Sequence, residues 1–255
     1  MVDGSLQNRT ALVTGAGSGM GQAHAELLAG RGAHVIVQDI VPERTETVAG
    51  AIRAAGGSAE PLPGDAADIR AMQAAVEGIA GARGAVDILV NNAGISGRQL
   101  PFEQIDEAGY DAMLAVHVKS AFFLSQAVVP GMKAQRWGRI INVSSMFAMI
   151  GSPNAPHYTV AKGALLGLTK ALARELGPWN ITVNALAPGL VKTEMTQMSL
   201  NDDAEFERRA ATVPMRRLAE PRDLAYAVAF LASDQAALMT GQTISPNGGN
   251  AIVGI

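Results

Sequence analysis

The sequence contains no cysteine, and this absence excludes two kinds of site. Without thiols the chain has neither a disulfide framework nor a cysteine metal centre. His24 and His34 also lack the spacing of metal ligands, so we expect no metal. A cysteine-free chain fits a reducing compartment, and we expect a cytoplasmic protein.

Charge and long apolar runs are also scarce. Charged residues make up 17% of the chain and the net charge is −3, so we expect neither nucleic acid nor an anionic membrane as a partner. The N-terminus lacks a basic region and a long apolar stretch, which argues against a signal peptide. Apolar runs such as Ala225–Ala232 are far shorter than the ~20 residues of a membrane span.

The remaining composition and its order predict a folded α/β protein. Hydrophobic residues make up 48% of 255 residues, enough for one domain (1–255) with a large core. Short β-branched runs alternate with longer helical patterns, which indicates a parallel sheet with helices on both faces. The predicted strands are Thr10–Val13, His34–Gln38, Ser58–Leu62, Val86–Val90, Arg139–Val143, Ile181–Ala185 and Gln242–Ser245. We expect Ser58–Leu62 at a sheet edge because Pro61 and Pro63 cannot donate to a ladder.

A glycine-rich loop follows the first strand directly. Gly15, Gly19 and Gly21 allow a tight turn and close backbone approach, and the next helix offers its N-terminus to a diphosphate. Asp39 ends the second strand, where a carboxylate accepts hydrogen bonds from a ribose diol and repels a 2′-phosphate. The nearest cation is Arg44, so the pattern favours NAD over NADP; the alternative is that Asp39 only caps the next turn.

Tyr158 and Lys162 are four residues apart in a predicted helix and therefore share one face. A neighbouring cation stabilises the phenolate and lowers the pKa of a tyrosine, which is normally near ~10. The pair is thus a candidate proton-transfer group. In isolation, most pairs of this kind are surface coincidences.

Taken together, the motifs resemble those of the classical short-chain dehydrogenase/reductase family over about residues 6–249. The motifs are Thr14-Gly15-x3-Gly19-x-Gly21, Asp65, Asn91-Asn92-Ala93-Gly94, Asn142-Val143-Ser144-Ser145, Tyr158-x3-Lys162 and Pro188-Gly189-x-Val191-x-Thr193. The resemblance implies a Rossmann-like, doubly wound, seven-stranded parallel sheet. It also implies a homotetramer built on helices Glu107–Ala134 and Ala155–Leu176, and a substrate lid around residues 193–213.

The resemblance also implies the roles of the site residues. Tyr158 is then the acid/base, Lys162 lowers its pKa and holds the nicotinamide ribose, and Ser145 orients the substrate oxygen. Ser144 would pack at the strand end, although the mirrored assignment of the two serines stays open. The implied cofactor contacts are Gly15, Ser18, Gly19, Met20, Gly21, Asp39, Ile40, Asp65, Ala66, Asn92, Ala93, Gly94, Tyr158, Lys162, Pro188, Gly189, Val191 and Thr193.

One position departs from the family pattern. His117 stands where the family has an asparagine that helps hold a water behind the catalytic lysine. We therefore include His117 as a candidate catalytic residue that preserves the proton path and adds pH dependence near pH 6–7. The alternative is a packing histidine.

The sequence predicts an NAD-dependent oxidoreductase that interconverts a secondary alcohol and a ketone. Its substrate would be a small molecule held by segments 96–104, 146–156 and 193–213, where Met146, Met149, Met195 and Met198 suit an apolar or mixed compound. A cofactor-sensing binding protein that has lost its chemistry is the alternative, but Ser145, Tyr158 and Lys162 are all present. An extended-family epimerase or dehydratase would carry Gly-x-x-Gly-x-x-Gly, which is absent.

Overall fold

The computed structural model describes residues 5–194, 196 and 203–253. In this range the chain forms one seven-stranded sheet in which every neighbouring pair is parallel, in the order β3-β2-β1-β4-β5-β6-β7. The strands are β1 (Thr10–Val13), β2 (His34–Asp39), β3 (Ser58–Pro63), β4 (Ile88–Asn91), β5 (Gly138–Val143), β6 (Ile181–Leu186) and β7 (Thr243–Ile244). The strand order reverses between β1 and β4, which makes the sheet doubly wound and opens a crevice at that point.

Helices connect the strands and cover both faces of the sheet. The helices are α1 (Gly19–Gly30), α2 (Pro42–Ala54), α3 (Ile69–Arg83), α4 (Glu107–Leu114), α5 (Ser120–Gln135), α6 (Phe147–Ile150), α7 (Pro156–Leu176), α8 (Asp203–Thr212) and α9 (Pro221–Ala232). This arrangement confirms the predicted α/β Rossmann-like fold.

The two faces bury separate apolar clusters because successive strand residues point to opposite sides of a sheet. Val35 and Val37 of β2 pack with α1, α2 and α9. Ile36, between them in sequence, packs on the other face with α3, α5 and α7. The strands are buried on both faces, as a parallel sheet between two helical layers requires.

Strand β3 lies at one edge of the sheet, as its prolines predict. It pairs with β2 over six residues, from His34↔Ser58 to Asp39↔Pro63. On an edge strand, a proline can occupy a position whose backbone nitrogen faces away from the sheet. Its missing N–H donor then costs no hydrogen bond to β2, and the pairing is kept.

The predicted helix Glu107–Ala134 is interrupted. Residues Ala115–Lys119 form a π-helical segment between α4 and α5. The hydroxyl of Ser120, the first residue of α5, donates to the Val116 carbonyl in this segment. The extra residue of a π turn is invisible to a 3.6-residue apolar pattern, and such turns are often found at functional sites.

One helical stretch is more apolar than the short runs in the sequence indicated. Glu107–Gln135 is long enough and, with a mean hydropathy of 1.5, apolar enough to cross a membrane by composition alone. Only 39% of the most apolar 18 residues of this stretch is buried.

The predicted lid contains helix α8, whereas Met195 and Met198 lie outside the described residues.

Candidate active site

A cavity of about 330 Å³ opens at the carboxyl ends of β1, β2, β4 and β5. It is the crevice that the reversal of strand order creates. Most of the predicted site residues line it: Gly15, Ser18, Gly19, Met20, Gly21, Asp39, Ile40, Asp65, Ala66, Asn92, Ala93, Gly94, His117, Tyr158, Lys162 and Thr193. Residues more than 150 positions apart in the sequence thus meet at one site.

The glycine-rich loop is packed against the loop that follows β4. A Cβ at Gly15 would lie 2.9 Å from the Ala93 Cα, and one at Gly21 would lie 2.0 Å from the Gly15 carbonyl oxygen. The Asn92 side chain donates to the carbonyls of Thr14 (2.9 Å) and Gly15 (3.2 Å). Only glycine permits this backbone approach, which leaves the backbone at the start of α1 accessible to a diphosphate.

Asp39 closes the cavity at the end of β2. Its carboxylate accepts from the backbone amides of Gly17 and Val41, each at 3.0 Å. These bonds fix the carboxylate and leave further lone pairs for other donors. The capping alternative is thus also realised, through Val41, and does not exclude binding of a ribose diol.

Ser145, Tyr158 and Lys162 form a buried group on the β5 side of the cavity. The Ser145 hydroxyl is hydrogen-bonded to Tyr158, and it accepts from the Phe147 amide at 3.2 Å. The Lys162 ammonium lies 5.6 Å from the centre of the Tyr158 ring and donates to the Val143 carbonyl at 2.8 Å. A hydroxyl, a phenol and an ammonium are therefore neighbours on this side of the cavity.

The electrostatics of the pair differ from the sequence-based expectation. Burial raises the pKa of Tyr158, and the hydrogen bond from Ser145 partly offsets this by lowering it. Burial also lowers the pKa of Lys162 to about 7. The expected lowering of the Tyr158 pKa by Lys162 is absent because the ammonium turns to Val143 and is itself desolvated.

The two adjacent serines have different environments. The Ser144 hydroxyl donates to the Lys162 carbonyl at 2.7 Å and is thereby committed to helix α7. Ser145 instead bonds to Tyr158. This geometry favours Ser145 over Ser144 as the serine that meets a substrate.

His117 lies in the π-helical segment and clamps the loop after β4. Its Nε2 lies 2.9 Å from the Ile95 carbonyl oxygen and 3.1 Å from the Ile95 amide, so one tautomer donates to the oxygen and the other accepts from the amide. Its ring also packs edge-on against Tyr158, with the centroids 5.6 Å apart. Burial lowers the pKa of His117 to about 3, helped by the charge of Lys162. The ring is neutral at pH 6–7, and the expected titration there is contradicted.

Four predicted residues do not line the cavity. Ser145 is 7% exposed and is adjacent in sequence to the lining residue Ser144, and the Pro188 carbonyl accepts from the Met146 amide at 2.9 Å. A Cβ at Gly189 would lie 2.9 Å from the Asn247 Cα, and Val191 forms a bridge with Ala219. The last three residues therefore shape the backbone that leads to Thr193.

The lining residues that were not predicted from the sequence include two polar ones, Gln38 and Glu194. Gln38 accepts from the Gly15 amide at 3.3 Å and donates to the Gly64 carbonyl at 2.6 Å. Its position beside Asp39 at the end of β2 was the available signal. Glu194 pairs with Arg44, 150 residues away, so no local pattern could have identified it.

Comparison with protein families and known sequences shows close similarity over nearly the whole chain. A family model described as enoyl-(acyl carrier protein) reductase matches residues 15–251. The chain is 41% identical over 248 residues to the 3-oxoacyl-[acyl-carrier-protein] reductase FabG of Vibrio cholerae, covering 96% of this chain and 98% of that protein. It is 40% identical over 252 residues to FabG of Escherichia coli, covering 98% of this chain and all of that protein.

Solved structures with the same fold carry a different description. A protein of Beutenbergia cavernae, provisionally described as an NAD(P)-dependent gluconate 5-dehydrogenase with NADP bound at low occupancy, has a TM-score of 0.92 and 39% identity. It covers 97% of this chain, and 98% of its own chain is matched. A protein of Agrobacterium tumefaciens, provisionally described as a gluconate dehydrogenase, has a TM-score of 0.93 and 31% identity, with 98% of each chain covered.

Proposed function

The chain belongs to the classical short-chain dehydrogenase/reductase family of oxidoreductases, and we propose that it is an NAD-dependent enzyme interconverting a secondary alcohol and a ketone by hydride transfer. The observation that carries the proposal is the buried group of Ser145, Tyr158 and Lys162 beside a cavity with a glycine cradle. We propose that the enzyme is a single domain with a substrate lid around residues 193–213. Its proposed location is the cytoplasm.

The residues of the cavity fit a nicotinamide dinucleotide. At Gly15 and Gly21 a Cβ would meet the chain's own backbone, so only glycine lets the loop pack this tightly and present the start of α1 to the cavity. Asp39 offers free lone pairs for the adenosine ribose, and Lys162 would hold the nicotinamide ribose. Asn92, Ala93, Gly94 and Thr193 border the same space. When bound, the cofactor supplies the hydride acceptor or donor.

The chain's own residues then handle the proton and the substrate oxygen. Ser145 donates a hydrogen bond that orients this oxygen and stabilises charge on it. The Tyr158 phenol exchanges the proton with the same oxygen. Lys162, where it is protonated, stabilises the phenolate that forms; burial of Tyr158 makes this support necessary.

Asp39 supports NAD over NADP. Its carboxylate is fixed by Gly17 and Val41 at the end of β2, where a 2′-phosphate would meet a negative charge. The Beutenbergia cavernae protein is described with NADP bound. The choice therefore needs direct measurement of NADH and NADPH binding to this chain by fluorescence.

The names of the relatives point to two narrower classes of substrate. Two FabG proteins at 40–41% identity suggest reduction of a 3-oxoacyl thioester, whereas the solved structures suggest a polyhydroxy acid. Turnover with acetoacetyl-CoA and with 5-ketogluconate, each with NADH and NADPH, separates the two. The substrate with the higher kcat/KM identifies the class.

Tyr158→Phe tests the proposed mechanism and the sensing alternative together. We expect kcat to fall by about 100- to 10,000-fold because the proton donor is removed. NADH binding, measured by fluorescence, should change little because the phenyl ring remains. Equal turnover by the variant and the wild type would overturn the mechanism, and absence of turnover in both would support the sensing protein.

A further inference from the structure

An ion pair lines the cavity and plays no part in the chemistry proposed above. Arg44, in the first turn of α2, places its Nη2 3.1 Å from the Oε2 of Glu194, which follows β6 by eight residues. The other guanidinium nitrogen, Nη1, donates to the Ser18 hydroxyl at 3.3 Å in the glycine-rich loop. All three residues line the cavity.

Arg44 also lies beside Asp39. A Cβ at Gly17 would be 2.7 Å from the Arg44 Cβ and 2.8 Å from the Asp39 Oδ2, so both side chains flank one point of the loop. The same Asp39 oxygen accepts from the Gly17 amide. A carboxylate and a guanidinium thus border the position proposed for the adenosine ribose.

The two charges favour different ribose groups. A carboxylate accepts hydrogen bonds from a 2′,3′-diol and repels a phosphate. A guanidinium is the preferred side chain for binding a phosphate, because its planar donors match the phosphate oxygens. In this structure the guanidinium is committed to Glu194 and Ser18, and the carboxylate of Glu194 balances its charge.

We infer that Glu194 is a specificity-determining residue that holds Arg44 away from a 2′-phosphate and so favours NAD over NADP. With Arg44 paired, the charges of Asp39, Arg44 and Glu194 leave one net negative charge beside the ribose. Without the Glu194 carboxylate, Arg44 is free to bind a 2′-phosphate and offset Asp39. The inference rests on the proposed function only for the placement of the adenosine ribose.

The test is nucleotide binding by Glu194→Gln, which keeps the side-chain size and removes its charge. Adenosine 5′-monophosphate and adenosine 2′,5′-bisphosphate differ only in the 2′-phosphate, and calorimetry at low ionic strength measures both. We expect the variant to bind the bisphosphate about twofold to fivefold more tightly, as for a partly exposed charge pair, and the affinity for the monophosphate to stay about the same. Salt should reduce the gain because the groups are solvent-exposed.

Two further variants isolate the pair. Glu43 precedes Arg44 in the sequence and is exposed on α2, so Glu43→Gln is a matched control for loss of a carboxylate. This variant should leave the ratio of the two affinities unchanged. Arg44→Met combined with Glu194→Gln should abolish the gain. An unchanged ratio in Glu194→Gln, or a gain that persists without Arg44, would overturn the inference.

The same data separate this inference from the proposed function. Binding of the monophosphate to the wild type without turnover of any ketone contradicts the redox proposal and leaves the selectivity result standing. Failure of the wild type and of Glu194→Gln to bind either nucleotide overturns both the cofactor assignment and the inference.

Discussion

The ammonium group of Lys162 lies in the protein interior, where its charged form is unfavourable. Its pKa falls from the ordinary 10.5 to about 7 because of burial. The folded state therefore binds this proton less readily than the unfolded state. The lysine contributes full stability only above about pH 10.5, and this contribution is lost as the pH falls toward 7. A protonated Lys162 at neutral pH therefore lowers the stability of the fold while it serves the proposed chemistry.

Lys162→Met should raise the stability of the protein while removing activity. We expect the free energy of unfolding at pH 7 to increase by about 1–2 kcal/mol because a buried cation is removed. The increase is not larger because the variant also loses the hydrogen bond to the Val143 carbonyl. This corresponds to a rise in Tm of about 2–6 °C for a chain of this length. Thermal unfolding followed by circular dichroism measures the change. Lys170→Met, at an exposed position of the same helix, is the control, and an equal or lower Tm for Lys162→Met contradicts the prediction.

His24 is a buried histidine that does not line the cavity. It faces the core from α1, and neither ring nitrogen has a hydrogen-bond partner among the described residues. Burial lowers its pKa from 6.5 to about 3. The neutral ring is therefore favoured in the folded state, and the stability it provides is present above about pH 6.5 and lost as the pH falls toward 3.

His24→Leu should stabilise the protein and weaken the pH dependence of its stability. Removing two unpaired buried polar atoms should add about 1–3 kcal/mol at pH 7.5. Between pH 7.5 and pH 5, each buried histidine with such a pKa lowers stability by about 2 kcal/mol. The wild type, with His24 and His117, should lose about twice as much as the variant. Urea unfolding at the two pH values measures this, and parallel losses would contradict the assignment.

At the scale of elements, the π-helical segment and the loop after β4 act as one unit. A Cβ at Gly94 would lie 2.4 Å from the Cε1 of His117, and the same ring bonds to the Ile95 backbone. The histidine thus fixes the loop that borders the cavity through contact and hydrogen bonding, without carrying a charge. We accordingly expect His117→Asn to leave the pH–rate profile between pH 6 and 8 unchanged.

Gly94→Ala tests this coupling. In the wild type we expect it to lower the free energy of unfolding by about 2–3 kcal/mol, because the added methyl group displaces the His117 ring. In a His117→Ala background the space is open, and the same change should lower it by less than about 1 kcal/mol. Urea unfolding of the four proteins in the double-mutant cycle gives the coupling energy. Equal effects in both backgrounds would show that the ring and the loop are independent.

The elements differ in how far the sequence could predict them. Most strands are predictable because they are short runs rich in β-branched residues. Strand β3 lacks such residues, but its edge position follows from Pro61 and Pro63. The π turn was missed because its extra residue leaves no mark in a 3.6-residue apolar pattern, and the His117–Ile95 bond joins segments that meet only after folding. The Arg44–Glu194 pair was missed for the same reason, since its partners belong to different connections of the sheet.

At the scale of the whole molecule, several large apolar side chains are exposed on the helices and near the C-terminus. Phe122 on α5 and Val160 on α7 are 46% and 49% exposed. Leu238 and Ile252, near the C-terminus, are 98% and 85% exposed. Exposed apolar side chains that form a contiguous patch mark contact surfaces. We propose that Phe122 and Val160 belong to one subunit interface of a homotetramer and that Leu238 and Ile252 belong to another, since such a tetramer needs two kinds of two-fold interface.

Charge substitutions on the two surfaces test the tetramer. If each surface forms one interface, Phe122→Glu and Leu238→Glu should each yield dimers, because a buried unpaired carboxylate disrupts its own interface and spares the other. The double variant should be a monomer. Ala74→Glu adds the same charge at an exposed position of α3, where no large apolar side chain is exposed among the described residues, and should remain a tetramer. Light scattering coupled to size-exclusion chromatography gives the masses. A monomeric wild type, or single variants that remain tetramers, would mean that these surfaces do not hold subunits together.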